Sequence, residues 1–216
     1  MHISEGVLST PILAAGAVLA AMGTAVGLRK LDYDNLMTVA ILSAAFFVAS
    51  LIHVPIGPTS VHLIFNGLLG AVLGWAAFPA ILVGLLLQAI LFQFGGLTVL
   101  GVNTFDMAAP AVLCALLFRP LLQRGGRARV VGAFLCGSVS VLLAALLTSA
   151  ALAFTDEGFV HAAQVLVIAH LPIMIGEGCF TVLVVGYLTK VLPDVFAWDF
   201  TTDTGRQAHA AALEDR

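Results

Sequence analysis

Long apolar runs separated by short polar or glycine-rich breaks cover nearly the whole chain. Windows near the roughly 20 residues that a helix needs to cross a ~30 Å hydrocarbon core fall at 11–28, 36–53, 60–78, 80–94, 105–122, 130–154 and 160–189. Turn or charge signals mark the breaks: Arg29-Lys30-Leu31-Asp32, Pro55-Ile56-Gly57-Pro58, Phe78-Pro79, Gly95-Gly96, Arg124-Gly125-Gly126-Arg127 and Thr155-Asp156-Glu157-Gly158. The pattern predicts an all-α integral membrane protein of about seven transmembrane helices, with a membrane domain over 1–196 and a polar, Ala-rich tail over 197–216. The fourth window is the shortest, and Phe78-Pro79 is the weakest break.

Composition agrees with that reading. The 216 residues are 61% hydrophobic and 10% charged, against ~25% charged in an ordinary soluble domain, and the mean hydropathy is +1.09. With the seven windows threaded so that the N-terminus lies outside, all 9 Lys and Arg fall on the inner side, as the positive-inside rule requires. This places a multi-pass protein in the cell inner (plasma) membrane with a cytoplasmic C-terminus.

Charge and motifs exclude several functions. The formal net charge is −3, with no basic face for nucleic acid. No Lys or Arg precedes Arg29, so the start lacks the positive region of a signal peptide and is expected to stay uncleaved. Cys114, Cys136 and Cys179 lie in apolar runs and read as small core residues. There is no Walker loop, so any ATP used must be hydrolysed by a partner. Neither a His-Glu-x-x-His nor a Gly-x-Ser-x-Gly motif is present, which argues against an intramembrane protease. The outer loops offer no acidic ring for a channel. Small residues along the first window, among them Gly16, Ala20, Gly23 and Gly27, suit close helix packing, within the chain or against a partner subunit.

The chemistry begins at Met1-His2. A free α-amine and the His2 amide nitrogen close a five-membered ring on a metal, and the amide nitrogen with His2 Nδ1 closes a six-membered one. Three nitrogens in one plane favour Cu(II) or Ni(II), with Co(II) a neighbour, over Mg or Ca. A fourth donor is required. His62, at the outer end of the third window, is within reach of an N-terminal segment folded into the bundle, although a buried histidine held by a carbonyl is the plainer alternative.

Several separate blocks extend the pattern: Met1-His2-Ile3 with Glu5-Gly6, Gly57-Pro58-Thr59-Ser60-Val61-His62-Leu63, Gln88 through Leu97, Gly101-Val102-Asn103, and His170-Leu171-Pro172 with Glu177-Gly178. Through them the chain resembles the CbiM/NikM family, the substrate-capturing (S) subunits of energy-coupling-factor cobalt and nickel transporters. The resemblance implies a seven-helix subunit with its N-terminal segment tucked into the bundle. It implies Met1, His2 and His62 as metal ligands and Co2+ or Ni2+ as the transported substrate. It also implies three kinds of partner: a transmembrane coupling (T) subunit, two ATPase subunits and a small accessory membrane protein. The chain itself would not be an enzyme.

Ser60, Asn66, Asn103, His170 and Glu177 are candidates for supporting the ligands or lining the ion's path. Asn103 and Gln93 are placed to hold the inserted N-terminal segment. His170 and Glu177, seven residues apart, face one side of the last helix, where a structural role is favoured over a pathway one. His53 is a reserve ligand at the outer end of the second window, and His161 and His209 read as surface residues. A binding subunit of the same transporter class for an organic vitamin is the alternative. It is disfavoured by the 8% aromatic content and by the scarcity of aromatics in the outer loops.

Overall fold

The computed structural model describes residues 2–51, 53–56 and 59–191, with main chain only at 54–56 and 59–61. The described residues form helices α1 (Thr10–Arg29), α2 (Leu36–Ala49), α3 (Asn66–Leu73), α4 (Ala77–Phe92), α5 (Leu100–Gln123), α6 (Gly126–Thr155) and α7 (Val160–Val191). A two-stranded antiparallel hairpin, β1 (His53–Ile56) and β2 (Thr59–His62), joins α2 to α3 and pairs His53 directly with His62. Five segments are long and apolar enough to cross a membrane: Thr10–Arg29, Asn66–Phe92, Leu100–Gln123, Gly126–Thr155 and Glu157–Val191. The protein is therefore a helical multi-pass membrane protein. The tail over 197–216 lies outside the described residues.

The third window departs from the expected helix. Its first residues form β2, residues 63–65 continue as a non-helical link, and α3 has only 8 residues, about 12 Å at ~1.5 Å per residue. The second window is shortened in the same way, since α2 ends at Ala49 and His53 stands in a strand. Non-helical backbone at this depth is tolerated only where protein groups satisfy it. Here the Glu177 carboxylate of α7 accepts from the main-chain N–H of both Ile64 and Phe65.

Asn66–Phe92 is apolar throughout yet is not one rod. Gly74, at φ 53 and ψ −121, breaks it into α3 and α4 around a short 3-10 turn at Gly74–Ala76. Both ends return to one end of the bundle, because Phe94 beyond α4 contacts His2 and His2 contacts His62 ahead of α3.

α3 is the centre of the fold, buried at every position, and this explains why it is apolar all round. Its glycines admit neighbouring backbones. A Cβ at Gly67 would collide with the Cys136 carbonyl of α6, and one at Gly70 with the Ala111 carbonyl of α5. Asn66, fully buried, donates to the Met107 carbonyl at 3.1 Å and accepts from Ser140 Oγ at 3.2 Å, fastening α3 to α5 and α6.

The small-residue face of α1 is used within the chain. Gly16 abuts Val102, Gly23 abuts Phe78 and Gly27 abuts the Trp75 carbonyl. α1 therefore runs from the His2 end towards the Gly74–Ala76 turn, where Lys30 Nζ lies 5.7 Å from the Trp75 ring. Cys114 and Cys136 are buried as expected, but Cys179 is exposed, on a face of α7 turned away from the core.

Candidate metal site

The N-terminal segment descends into the mouth of the bundle and is held there by main-chain pairing. Ile3, with no exposed surface, donates its N–H to Asn103 Oδ1 at 3.0 Å, and its carbonyl accepts from Asn103 Nδ2 at 3.2 Å. One amide side chain thus stands in for a neighbouring strand. Next along, the Glu5 N–H donates to the Gly95 carbonyl at 3.0 Å, and the Glu5 carboxylate accepts from the Thr98 N–H at 3.0 Å. That Thr98 bond lowers the Glu5 pKa. Gly95 and Gly96 have φ 81 and 135, and a Cβ on Gly96 would strike the Glu5 side chain. Glycine at this turn is what lets the segment lie so close.

This clamp delivers His2 to His62. Both are 3% exposed, and His2 Nδ1 lies 2.8 Å from His62 Nε2. His62 Nδ1 is 2.7 Å from the Leu63 carbonyl, which can only accept, so Nδ1 carries the proton and Nε2 presents its lone pair to His2. Burial pushes the His2 imidazole well below the usual histidine range. The ring is therefore neutral at pH 7.

Gln88 of α4 stands beside His2. Its amide nitrogen donates to the Phe47 carbonyl at 3.0 Å and to Ser50 Oγ. Gln88 Oε1 and His2 Nε2 are both buried without a partner among the described residues. Phe94 lies over the pair, its ring centroid 4.1 Å from that of His2.

The other candidates are placed as follows. Met1 lies outside the described residues, and Ser60 is described only as main chain, opposite Pro55. Asn66 opens α3 beyond the non-helical link that follows His62, so the two do not share a helix face, and its amide is committed to α5 and α6. Glu177 binds the backbone between His62 and α3. His170, 1% exposed, bonds the Leu166 carbonyl through Nδ1 at 2.8 Å, and its Nε2 has no partner among the described residues. Gln93 caps α4 at φ 53 and is exposed, while Gln88, five residues earlier, occupies the place beside His2. In the sequence Gln88 and Phe94 belong to one block and carry no assigned role. A glutamine inside an apolar window is the signal that marks the first of them.

Among the described residues no group of three or more His, Cys, Asp or Glu side chains could hold a metal ion.

Comparison with known proteins shows the family. The family model described as "Cobalt uptake substrate-specific transmembrane region", CbiM, matches residues 2–195. A putative metal transport protein of Haemophilus influenzae is 48% identical over 198 residues, covering 90% of this chain and 96% of the relative. The cobalt transport protein CbiM of Kyrpidia tusciae is 32% identical over 213 residues, covering 91% and 86%. The crystal structure of a truncated transition metal transporter superposes with a TM-score of 0.76 at 30% identity, covering 88% of this chain and 99% of that one. The chain belongs to the CbiM family of cobalt-uptake transmembrane components.

Proposed function

We propose that this chain is the substrate-capturing membrane subunit of an ATP-driven importer of the energy-coupling-factor type, taking Co(II) or Ni(II) from outside with four nitrogens. The observation that carries the reading is the 2.8 Å separation of His2 Nδ1 and His62 Nε2. Two donors at right angles, each ~2.0 Å from one ion, stand about 2.8 Å apart, whereas a tetrahedral angle would set them about 3.3 Å apart. The pair is spaced as adjacent corners of a square. The Met1 amine and His2 amide nitrogen supply the other two corners through the five- and six-membered rings of the chelate. His62 Nε2 then stands opposite the amide nitrogen and beside His2 Nδ1.

Capture on this scheme exchanges protons for the ion. Before capture His2 Nδ1 holds the proton that faces His62. An ion between them displaces it, and His2 then carries its single ring proton on Nε2. That nitrogen, buried and without a partner among the described residues, thereby becomes a donor on the ring that Gln88 stands beside. Asn103 and the Glu5 contacts hold the chelating segment in the bundle, and Glu177 fixes the backbone that follows His62.

Transport requires partners: a coupling (T) subunit, two ATPases and a small accessory membrane protein for loading, since the sequence has no nucleotide-binding loop of its own. Orientation follows the charge pattern, with the site at the outer end and Arg29, Lys30, Arg124, Arg127 and Lys190 at the other. An organic vitamin fits poorly, because the two imidazoles are in direct contact at 2.8 Å and leave no room for a ring between them.

The test is titration of the detergent-solubilised full chain with Co(II) and Ni(II), comparing wild type, H2A and H62A. One tight equivalent lost in both variants supports the reading. No specific binding by wild type, or binding indifferent to both substitutions, overturns it. Mass analysis of the same preparation must show a free Met1 amine.

A further inference from the structure

The capture site is closed. His2 and His62 are each 3% exposed, so a hydrated cation cannot reach their facing nitrogens unless some group moves. The ring contacts indicate which one. His53, Phe94, His2 and His62 form a continuous chain with centroid separations of 4.1, 4.1 and 4.7 Å. His53 is exposed and is the direct cross-strand partner of His62, so the two histidines share one side of the hairpin. Its Nδ1 donates to the Leu51 carbonyl at 3.0 Å, leaving Nε2 as the nitrogen with a free lone pair. Phe94, half-buried, is the ring that touches both the exposed and the buried imidazole.

The neighbouring contacts differ in how firmly they are held. The chelating segment is tied twice by Asn103 and again through Glu5. Among the described residues Phe94 makes one hydrogen bond, 3.2 Å from its N–H to the Gln88 carbonyl, and its ring is held by ring contacts with His53 and His2 rather than by a hydrogen bond. It sits in a turn where Gln93, Gly95 and Gly96 all have positive φ. Rotation of its side chain breaks no hydrogen bond among the described residues.

We propose that His53 and Phe94 form a loading port for the site: His53 Nε2 takes the incoming divalent cation at the surface, and the Phe94 ring is the door it passes to reach His2 and His62. A single imidazole holds such an ion weakly, which suits a station that must hand its cargo on. The proposal rests on the capture reading above and adds the route by which the ion arrives.

A port lies on the path in both directions, so altering it changes association and dissociation together and leaves their ratio intact. The experiment is stopped-flow mixing of the full chain in detergent with Ni(II), followed by chelator chase, for wild type, H53A, H53Q, F94A and F94L. In H53A and H53Q one equivalent still binds, with association and dissociation both slowed about tenfold and Kd held within about twofold of wild type. In F94A and F94L both rates rise.

Unchanged rates in both His53 variants would overturn the port, as would a loss of affinity carried by dissociation alone, since that would make His53 a ligand. Rates in both Phe94 variants at or below wild type would overturn the door. Failure of the capture reading looks different: wild type would show no tight equivalent, or H62A would bind as wild type does.

Discussion

Asn103 offers the most incisive perturbation, because it touches no proposed ligand yet holds the segment that carries the chelate. In N103A the Ile3 N–H and carbonyl lose their partners at 3.0 and 3.2 Å in a place where Ile3 has no exposed surface. Each buried group left without its partner costs about 1–3 kcal/mol, so the docked segment loses about 2–6 kcal/mol. Binding requires docking, and at ~1.4 kcal/mol per tenfold this becomes an affinity weaker by about 30-fold or more. Alanine is the best helix former, so α5 itself is retained. N103L separates the two explanations of a loss: it restores volume but no hydrogen bond, and it is expected to bind as weakly as N103A. Isothermal titration with Ni(II) reads the affinity, and thermal unfolding confirms that the bundle is intact. Affinity within about twofold of wild type in both variants, or full rescue by leucine, would refute the clamp.

Three further outcomes follow from the same contacts. G70A drives a Cβ into the Ala111 carbonyl, a backbone atom that cannot swing aside. The overpacking costs about 1–3 kcal/mol, visible as a lower melting temperature. E177A leaves the Ile64 and Phe65 N–H groups without an acceptor, and each buried donor costs about 1–3 kcal/mol. Thermal stability and Ni(II) affinity should fall together, whereas E177Q, which keeps an acceptor oxygen, falls less. Metal affinity should also rise with pH. The His2 pKa is already depressed by burial, so the imidazole is unprotonated at neutral pH, and the proton competition that remains comes from the amine and the amide. Log affinity measured by titration across roughly pH 6 to 8 should climb by about one to two units per pH unit. A flat profile would exclude the amine and amide as donors.

Hydropathy gave the long helices well and the middle of the chain poorly. α5, α6 and α7 are long, mainly apolar runs closed by glycine or charge, and their windows lie within them. The run over 60–78 has the same hydropathy, yet it contains a strand, a link and a short helix. A residue's transfer energy does not report its backbone conformation, and a segment enclosed by protein on all sides is apolar in any conformation. The link is possible only because Glu177, more than a hundred positions away, supplies its hydrogen bonds. Nothing local in Leu63-Ile64-Phe65 announces that partner.

The site was most legible where it is covalent. Met1-His2 encodes the chelate rings within two residues, and the need for a fourth donor follows from them. His62 within reach of the N-terminal segment and Asn103 placed to hold that segment are legible in the sequence blocks, and the structure brings both into contact with it. That Gln88 stands beside His2 and Phe94 stacks on it are contacts made only when α4 and the turn beyond it converge on the hairpin, and in sequence those two are merely an amide and an aromatic among many apolar neighbours.

The capture of one ion by four nitrogens is tested most directly by X-ray absorption at the nickel edge on the loaded full chain, beside H62A. The account predicts a planar first sphere of four nitrogens with imidazole scattering beyond it, and one imidazole fewer in H62A. A six-coordinate, oxygen-rich sphere, or one identical in wild type and H62A, would contradict it.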